Sequence, residues 1–173
     1  DDDDDSPRDR SVLKLGMVVE VSSSSIDDST GRAVAGLIRF GSELKGPVAS
    51  IDSVAQTLRM LDQTVEVRGE TVFDAALVGG FAALAVNQIL EIHALFDSAT
   101  GRYLATRIEL EDSADNYRLR GRVSALDSTN KVFQIGDAVI NYGGVPAGEL
   151  PSNFAEGQRV RVRLQTAQVN GQW

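Results

Sequence analysis

Cysteine is absent from the 173-residue chain, which excludes disulfides, thiolate metal sites and covalent c-type haem attachment. Its absence does not fix a compartment. Histidine occurs once, as His93. A catalytic or metal-bound histidine needs a nucleophile or further ligands, and none is visible beside it, so a surface position is expected. Aromatic residues make up only 6% of the chain, few for the stacking platforms that hold single-stranded nucleic acid. No apolar run approaches the roughly 18 residues of a membrane span. The most apolar stretch, AALVGGFAALAV at 75–86, is interrupted by Gly79 and Gly80. Basic residues are outnumbered 17 to 25, and the resulting net charge of −8 disfavours a nucleic-acid backbone as partner. No N-x-[ST] sequon and no phosphate-binding P-loop occurs. The chain begins with Asp rather than Met, the expectation being a processed or excised polypeptide.

What is present is repetition. TGRAVAGLI at 30–38 and TGRYLATRI at 100–108 agree at five of nine positions. Upstream of each lies a second matching phrase, GMVVEVS at 16–22 and NQILEIH at 87–93, with a third copy, GQRVRVR, at 157–163. VASIDS at 48–53 recurs as VSALDS at 123–128. A unit of about 70 residues is therefore expected, with length differences confined to its linkers.

Each phrase reads as strand. Alternating polar and β-branched residues are clearest at 159–164 and 64–67. DDSTGR, DSATGR and DSTNK carry turn chemistry, because Asp and Ser bond nearby backbone and Gly tolerates positive φ. The middle unit then runs through strands near 46–53, 56–60, 64–67, 88–96 and 102–110, with a loop or short helix at 74–84 before the fourth. Five short strands with one such crossing is the pattern of a small Greek-key barrel of the OB type. The expected fold is all-β.

On the elements GPVASID (46–52), GRVSALD (121–127), GMVVEV (16–21), GQRVRV (157–162), GRAVAGLI (31–38) and GRYLATRI (101–108), the chain resembles a bacterial family, domain-of-unknown-function family 5666. Asn87 stands where the matching phrases have glycine. The resemblance spans nearly everything after Ser11. It implies tandem OB-like barrels in an exported protein, located outside the cell or in its envelope. It implies no catalytic residues.

Counting strands divides the chain into an acidic tail (1–11), an incomplete unit holding only the last two strands (12–44), a complete barrel (45–112) and a barrel lacking its last strand (113–173). Unpaired strand edges are avoided in nature or used for assembly. Three readings follow: a fragment of a longer repeat protein, closure of the last barrel by the first strands of the same chain, or closure by the first strands of a neighbour, which propagates into a filament. The expected role is a non-catalytic structural protein assembling head to tail. The expected interface comprises Val12, Leu15, Val18, Val19, Val21, Val34, Leu37 and Ile38 on the donor side and Val160, Val162, Leu164 and Trp173 on the acceptor side. A monomeric module holding a glycan, peptide or small ligand is the alternative. No cofactor is expected.

Several features have plainer readings. Arg159, Arg161 and Arg163 alternate with Val160, Val162 and Leu164, a basic stripe expected to be a solvated face because the matching strands carry Glu20 and Glu91. The aspartates at 1–5, with Asp27 and Asp28, permit weak divalent-cation binding through carboxylate oxygen, although their spacing fits no calcium loop. SSSS at 22–25 is expected to form a hairpin tip.

Overall fold

The computed structural model describes residues 10–173. It is built of strands joined by turns, with three short 3-10 helices, among the described residues, at Arg10–Val12, Gly80–Ala83 and Ala147–Glu149. In chain order the strands are β1 (Val19–Asp27), β2 (Arg32–Phe40), β3 (Leu44–Asp52), β4 (Thr57–Met60), β5 (Gln63–Glu66), β6 (Val72–Phe73), β7 (Ile89–Asp97), β8 (Arg102–Glu111), β9 (Tyr117–Arg122), β10 (Ser124–Asp127), β11 (Val132–Ile135), β12 (Ala138–Asn141) and β13 (Arg159–Leu164).

A closed five-strand barrel occupies the middle. β3 pairs antiparallel with β4 and β4 with β5; β5 runs parallel to β8, β8 is antiparallel to β7, and β7 returns to β3. This is the Greek-key order of the OB barrel. Alternate residues point inward, so Leu44, Val48, Leu58, Met60, Val65, Leu90, Ile92, Ala94, Tyr103, Ala105 and Ile108 are all buried. The expected crossing before the fourth strand is a single 3-10 turn at Gly80–Ala83, entered through Gly80 at φ 57°. Leu77 and Leu84 on either side of it are buried in the core.

The turns follow one chemistry. In each of four hairpins an aspartate accepts hydrogen bonds from the loop that follows: Asp27 from the Ser29 amide and Thr30 hydroxyl, Asp52 from the Val54 and Ala55 amides, Asp97 from Ala99 and Thr100, and Asp127 from Thr129 and Asn130. These bonds hold the carboxyls of Asp27, Asp97 and Asp127 below the usual range. At the first residue of each of the phrases 16–22, 87–93 and 157–163 the backbone has positive φ: 88° at Gly16, 70° at Asn87 and 79° at Gly157. Asparagine tolerates that conformation better than other side chains, which accounts for Asn87 at a position otherwise held by glycine.

Beyond the barrel, β9 pairs with β3 through Leu119↔Leu44 and Arg118↔Lys45 and with β13 on its other edge, so one sheet runs from the closed barrel into the C-terminal unit. β10, β11 and β12 form a separate three-stranded sheet. Gly121 on β9 is required by packing: a Cβ there would lie 2.3 Å from Ile135 Cγ2 and 3.0 Å from the Tyr103 hydroxyl oxygen. Gly121→Ala is expected to cost about 1–3 kcal/mol by overpacking, read as a lower midpoint in urea denaturation with an unchanged slope.

The N-terminal segment departs from expectation. Residues 12–18 are not strand. A 3-10 turn ends at Val12, and a turn around Gly16 presses against the Thr106 carbonyl, where a Cβ would sit 2.6 Å away. The strand begins only at Val19, and Ser22–Ser25 lie within β1 rather than at a tip; the tip is residues 28–31. β1 and β2 pair only with each other.

Candidate assembly interface

The C-terminal unit repeats the register of the closed barrel up to its fourth strand. Met60↔Gln63 in the first is matched by Ile135↔Ala138 in the second, and Leu44↔Ile92 by Leu119↔Val162. These pairs make β12 the counterpart of β5, and β13 that of β7. In the closed barrel β8 lies between β5 and β7. Between β12 and β13 there is instead a cavity of about 790 Å³, bordered by Phe133, Ile140, Tyr142, Phe154, Leu164 and Trp173 among others.

Trp173 occupies the first place of a fifth strand in this unit. Its amide donates to the Val139 carbonyl at 2.9 Å, and its carbonyl accepts from the Asn141 amide at 2.8 Å. One residue bonding to both neighbours of Ile140 is the parallel pattern. Ile140 is the counterpart of Val65, whose parallel partner is Tyr103. TGRY and NGQW therefore end on the same structural position. Side chains secure it: the Trp173 indole N–H and the Gln168 amide both donate to Asp62 Oδ2, at 2.8 and 2.9 Å, and the ring packs edge-on against Tyr117 at 5.9 Å. Asp62 belongs to the β4–β5 turn of the closed barrel, so that barrel anchors the start of its neighbour's fifth strand.

The donor residues are distributed as follows. Val21 faces Ile38 across the hairpin and Val19 faces Phe40, the positions that bury Ile92, Ile108, Leu90 and Leu110 against or near the closed barrel's core. Here Val19, Val21 and Ile38 are 42%, 54% and 41% exposed. Val34 and Leu37 are also exposed. Val12 and Val18 are half-buried in the segment preceding the hairpin, and Leu15 is exposed there. On the acceptor side Val160 and Leu164 are buried and Val162 half-buried, all beneath the cavity. The β1–β2 hairpin does not enter the cavity, so the gap is not closed by this chain's own first strands.

Register also produced a feature that sequence reasoning missed. β13 pairs with β9 so that Arg159 faces Arg122, Arg161 faces Arg120 and Arg163 faces Arg118. The stripe read as a solvated face is half of a six-arginine ladder. YRLRGR at 117–122 has the same alternation as RVRVR, and pairing the two phrases was the signal that could have shown it. At its centre sits Glu43, 1% exposed, with Arg159 Nη2 at 3.3 Å and Arg120 Nη1 at 3.6 Å, and one carboxylate oxygen accepting from the Ala94 amide at 3.2 Å. Burial pushes the Glu43 carboxyl above its ordinary value despite these partners, and burial together with Arg159 lowers Arg120.

The sign for stability follows. A carboxyl whose folded-state pKa is raised contributes stability that is fully present below its unfolded value of about 4.5 and is lost as pH rises through the folded value. The stability of the native chain relative to Glu43→Gln is therefore expected to grow as pH falls from 7 toward about 4.5, measured by urea denaturation at each pH.

His93 is 1% exposed rather than on the surface. The register shift between His93 and Ala94 leaves the extra residue, Thr106, on β8, so β7 keeps its alternation and His93 stays on the phase of Glu91, opposite Arg107. Its Nε2 lies 3.9 Å from Glu109 Oε2, and Glu109 also binds Arg107 and Lys14. Burial pushes the Glu109 carboxyl up, but those two cations outweigh it and hold the group below its ordinary value. With Arg107 donating to the Leu15 carbonyl at 3.1 Å, this polar cluster straps residues 14–16 to the barrel. Among the described residues no group of three or more His, Asp or Glu side chains is placed to hold a metal. Asp27 caps its turn, and the aspartates at 1–5 lie outside the described residues. No helix there is long and apolar enough to cross a membrane.

Fold and interface together define an all-β protein with a closed OB-type barrel and a second unit open at its fifth strand. Residues 45–109, which contain that closed barrel almost entirely, match the family model described as "Domain of unknown function (DUF5666)". No curated protein and no solved structure matches the chain.

Proposed function

We infer that the chain is a non-catalytic structural protein of tandem OB-like units that self-assembles head to tail, the hairpin of one copy completing the open C-terminal barrel of the next. The observation that carries this reading is the cavity between β12 and β13, paired with a strand hairpin in the same chain whose core-type face is exposed. The equivalence of Trp173 with Tyr103 makes it equivalent to Ala33 in β2 as well. An incoming β2 that leaves Trp173 in place presents residues 34–40 to the rest of the gap. Its edge away from β1 is unpaired in the hairpin and can run parallel to β12 without breaking existing hydrogen bonds. That pairing satisfies backbone groups on both edges and covers Ala35 and Ile38. A contact joining unlike surfaces of identical copies propagates into a fibre unless it closes into a ring. Export to the cell exterior or envelope rests on the family resemblance.

A ligand-binding module on an aromatic face is less well supported. Phe133, Tyr142 and Phe154 do form a cluster at the cavity, with centroids 5.3–5.8 Å apart, but they pack edge-on or tilted against one another as core. Trp173, the single tryptophan, provides the test. Titration with a synthetic peptide of residues 32–40 is expected to change its emission saturably, whereas a scrambled peptide leaves it unchanged. Equal, unsaturable responses to both would contradict the reading.

A further inference from the structure

We propose that residues 14–16 are a latch that keeps the β1–β2 hairpin from closing the socket of its own chain, so that the socket stays open for a second copy. The inference rests on the head-to-tail reading and concerns how that site is regulated. A strand tethered by a short flexible linker meets its site at an effective concentration of about millimolar. An unrestrained hairpin would therefore outcompete a second copy present at lower concentration. The hairpin's base is also close to its own socket. Val18, Val19 and Phe40 border one cavity of about 460 Å³ together with Arg159, Val160 and Arg161 of β13, and β13 is one side of the gap. Yet β1 and β2 pair only with each other. A head-to-tail assembly needs a restraint against self-closure.

The hairpin is held at both ends. Before β1, the backbone of Gly16 lies directly on the closed barrel. A Cβ there would sit 2.6 Å from the Thr106 carbonyl oxygen, 3.0 Å from Arg107 Cβ and 3.1 Å from Val72 Cβ. Arg107 Nη1 donates to the Leu15 carbonyl at 3.1 Å, and its Nη2 donates to Glu109 at 2.9 Å. The same Glu109 carboxylate binds the Lys14 ammonium. Hydrogen bonds to charged groups of this kind are the stronger ones. Leu15 contributes its carbonyl and not its side chain, which is 81% exposed, so the hold on this turn is polar and steric. After β2, residues 41–43 are buried. The Glu43 amide donates to the Ile92 carbonyl at 3.0 Å, and its carbonyl accepts from the Arg120 amide at 2.8 Å. Two fixed ends set the direction of the hairpin, and a tether that cannot bring a strand to its site lowers the effective concentration toward zero. The latch is the end of the two that lies outside the barrel strands.

The test compares the native full chain with a variant carrying Lys14→Glu and Gly16→Val, changes that leave every strand intact. Valine cannot take the place of Gly16, where φ is 88° and a Cβ meets the Thr106 carbonyl, and Lys14→Glu sets like charge against Glu109. The native chain is expected to associate in sedimentation velocity and to bind the peptide of residues 32–40 with a saturable change in Trp173 emission. The unlatched variant should stay monomeric at the same concentration and bind the peptide roughly tenfold or more weakly, because its own hairpin fills the socket. Adding Ile38→Glu bars that hairpin from a barrel interior and should restore peptide binding, which separates an occupied socket from a damaged one. An unlatched variant that associates and binds the peptide as the native chain does overturns the latch and leaves the head-to-tail reading standing. A monomeric variant with undiminished peptide binding, or one that Ile38→Glu does not rescue, also overturns the latch. A native chain that neither associates nor binds the peptide overturns the reading and the latch together.

Discussion

Val21→Glu combined with Ile38→Glu is expected to leave the monomer folded and to abolish assembly. The two side chains face each other on the hairpin and are 54% and 41% exposed, so the free chain loses little when they change. In the assembled state Ile38 enters the interior of a barrel, as its counterpart Ile108 does at 0% exposure, while Val21 stays paired beside it in β1. Fully burying an aliphatic side chain is worth about 1.5–3 kcal/mol, and placing an unpaired carboxylate there costs more. The loss at Ile38 alone amounts to at least about 1.5 kcal/mol, or roughly tenfold or more in dissociation constant. Sedimentation velocity against concentration should show the native chain associating and the double variant remaining monomeric. Unchanged association would mean that this face is not the donor.

Leu119→Ala should produce the largest loss of stability, and the loss should be uneven. Leu119 is fully buried and pairs with both Leu44 and Val162, so it ties the C-terminal unit to the closed barrel. Truncating a buried leucine costs about 2–5 kcal/mol, depending on how far the site collapses. Relaxation is limited here, because the sheet passing through Leu119 continues into the rigid barrel. Among the described residues no strand lies between β12 and β13 in the unit beyond it, and part of its core borders the cavity there. Amide exchange should therefore rise by several orders of magnitude across residues 117–173 while residues 44–111 stay protected, since local units open with their own free energies. A single cooperative transition covering both regions would contradict this division.

The fold was legible in the sequence because it depends on short-range chemistry stated more than once. The Asp-led turns mark each hairpin, two of them with a following glycine, Gly31 and Gly101, and the second half of β3 and β10 share a phrase because they do the same work. What was not legible depends on contacts distant in the chain. A strand over the phrase at 16–22 was a fair reading of its apolar residues, but close approach to Thr106 forces a turn at Gly16 and the strand begins at Val19. His93 does lie on the polar phase of β7, opposite Arg107, and it is buried in a cluster with Glu109 that reaches Lys14, far away in the chain. The arginine ladder needs the register of β9 against β13, two strands separated by some forty residues. Counting strands led to the expectation of an open unit at Val160, Val162, Leu164 and Trp173, and these residues do line the cavity; that Trp173 already sits in fifth-strand register is information only the backbone hydrogen bonds to β12 contain.

The central claim is that a strand from another copy of the chain fills the gap between β12 and β13. Cross-linking tests it most directly, through single cysteines in this cysteine-free chain. One variant carries Asn141→Cys and a second carries Val34→Cys, positions whose counterparts Glu66 and Leu104 are paired in the closed barrel, and the two are mixed under mild oxidation. The account predicts a disulfide joining the two variants, suppressed by excess peptide of residues 32–40. Disulfides formed only between like variants, or none while the singly substituted chains remain folded, would contradict it.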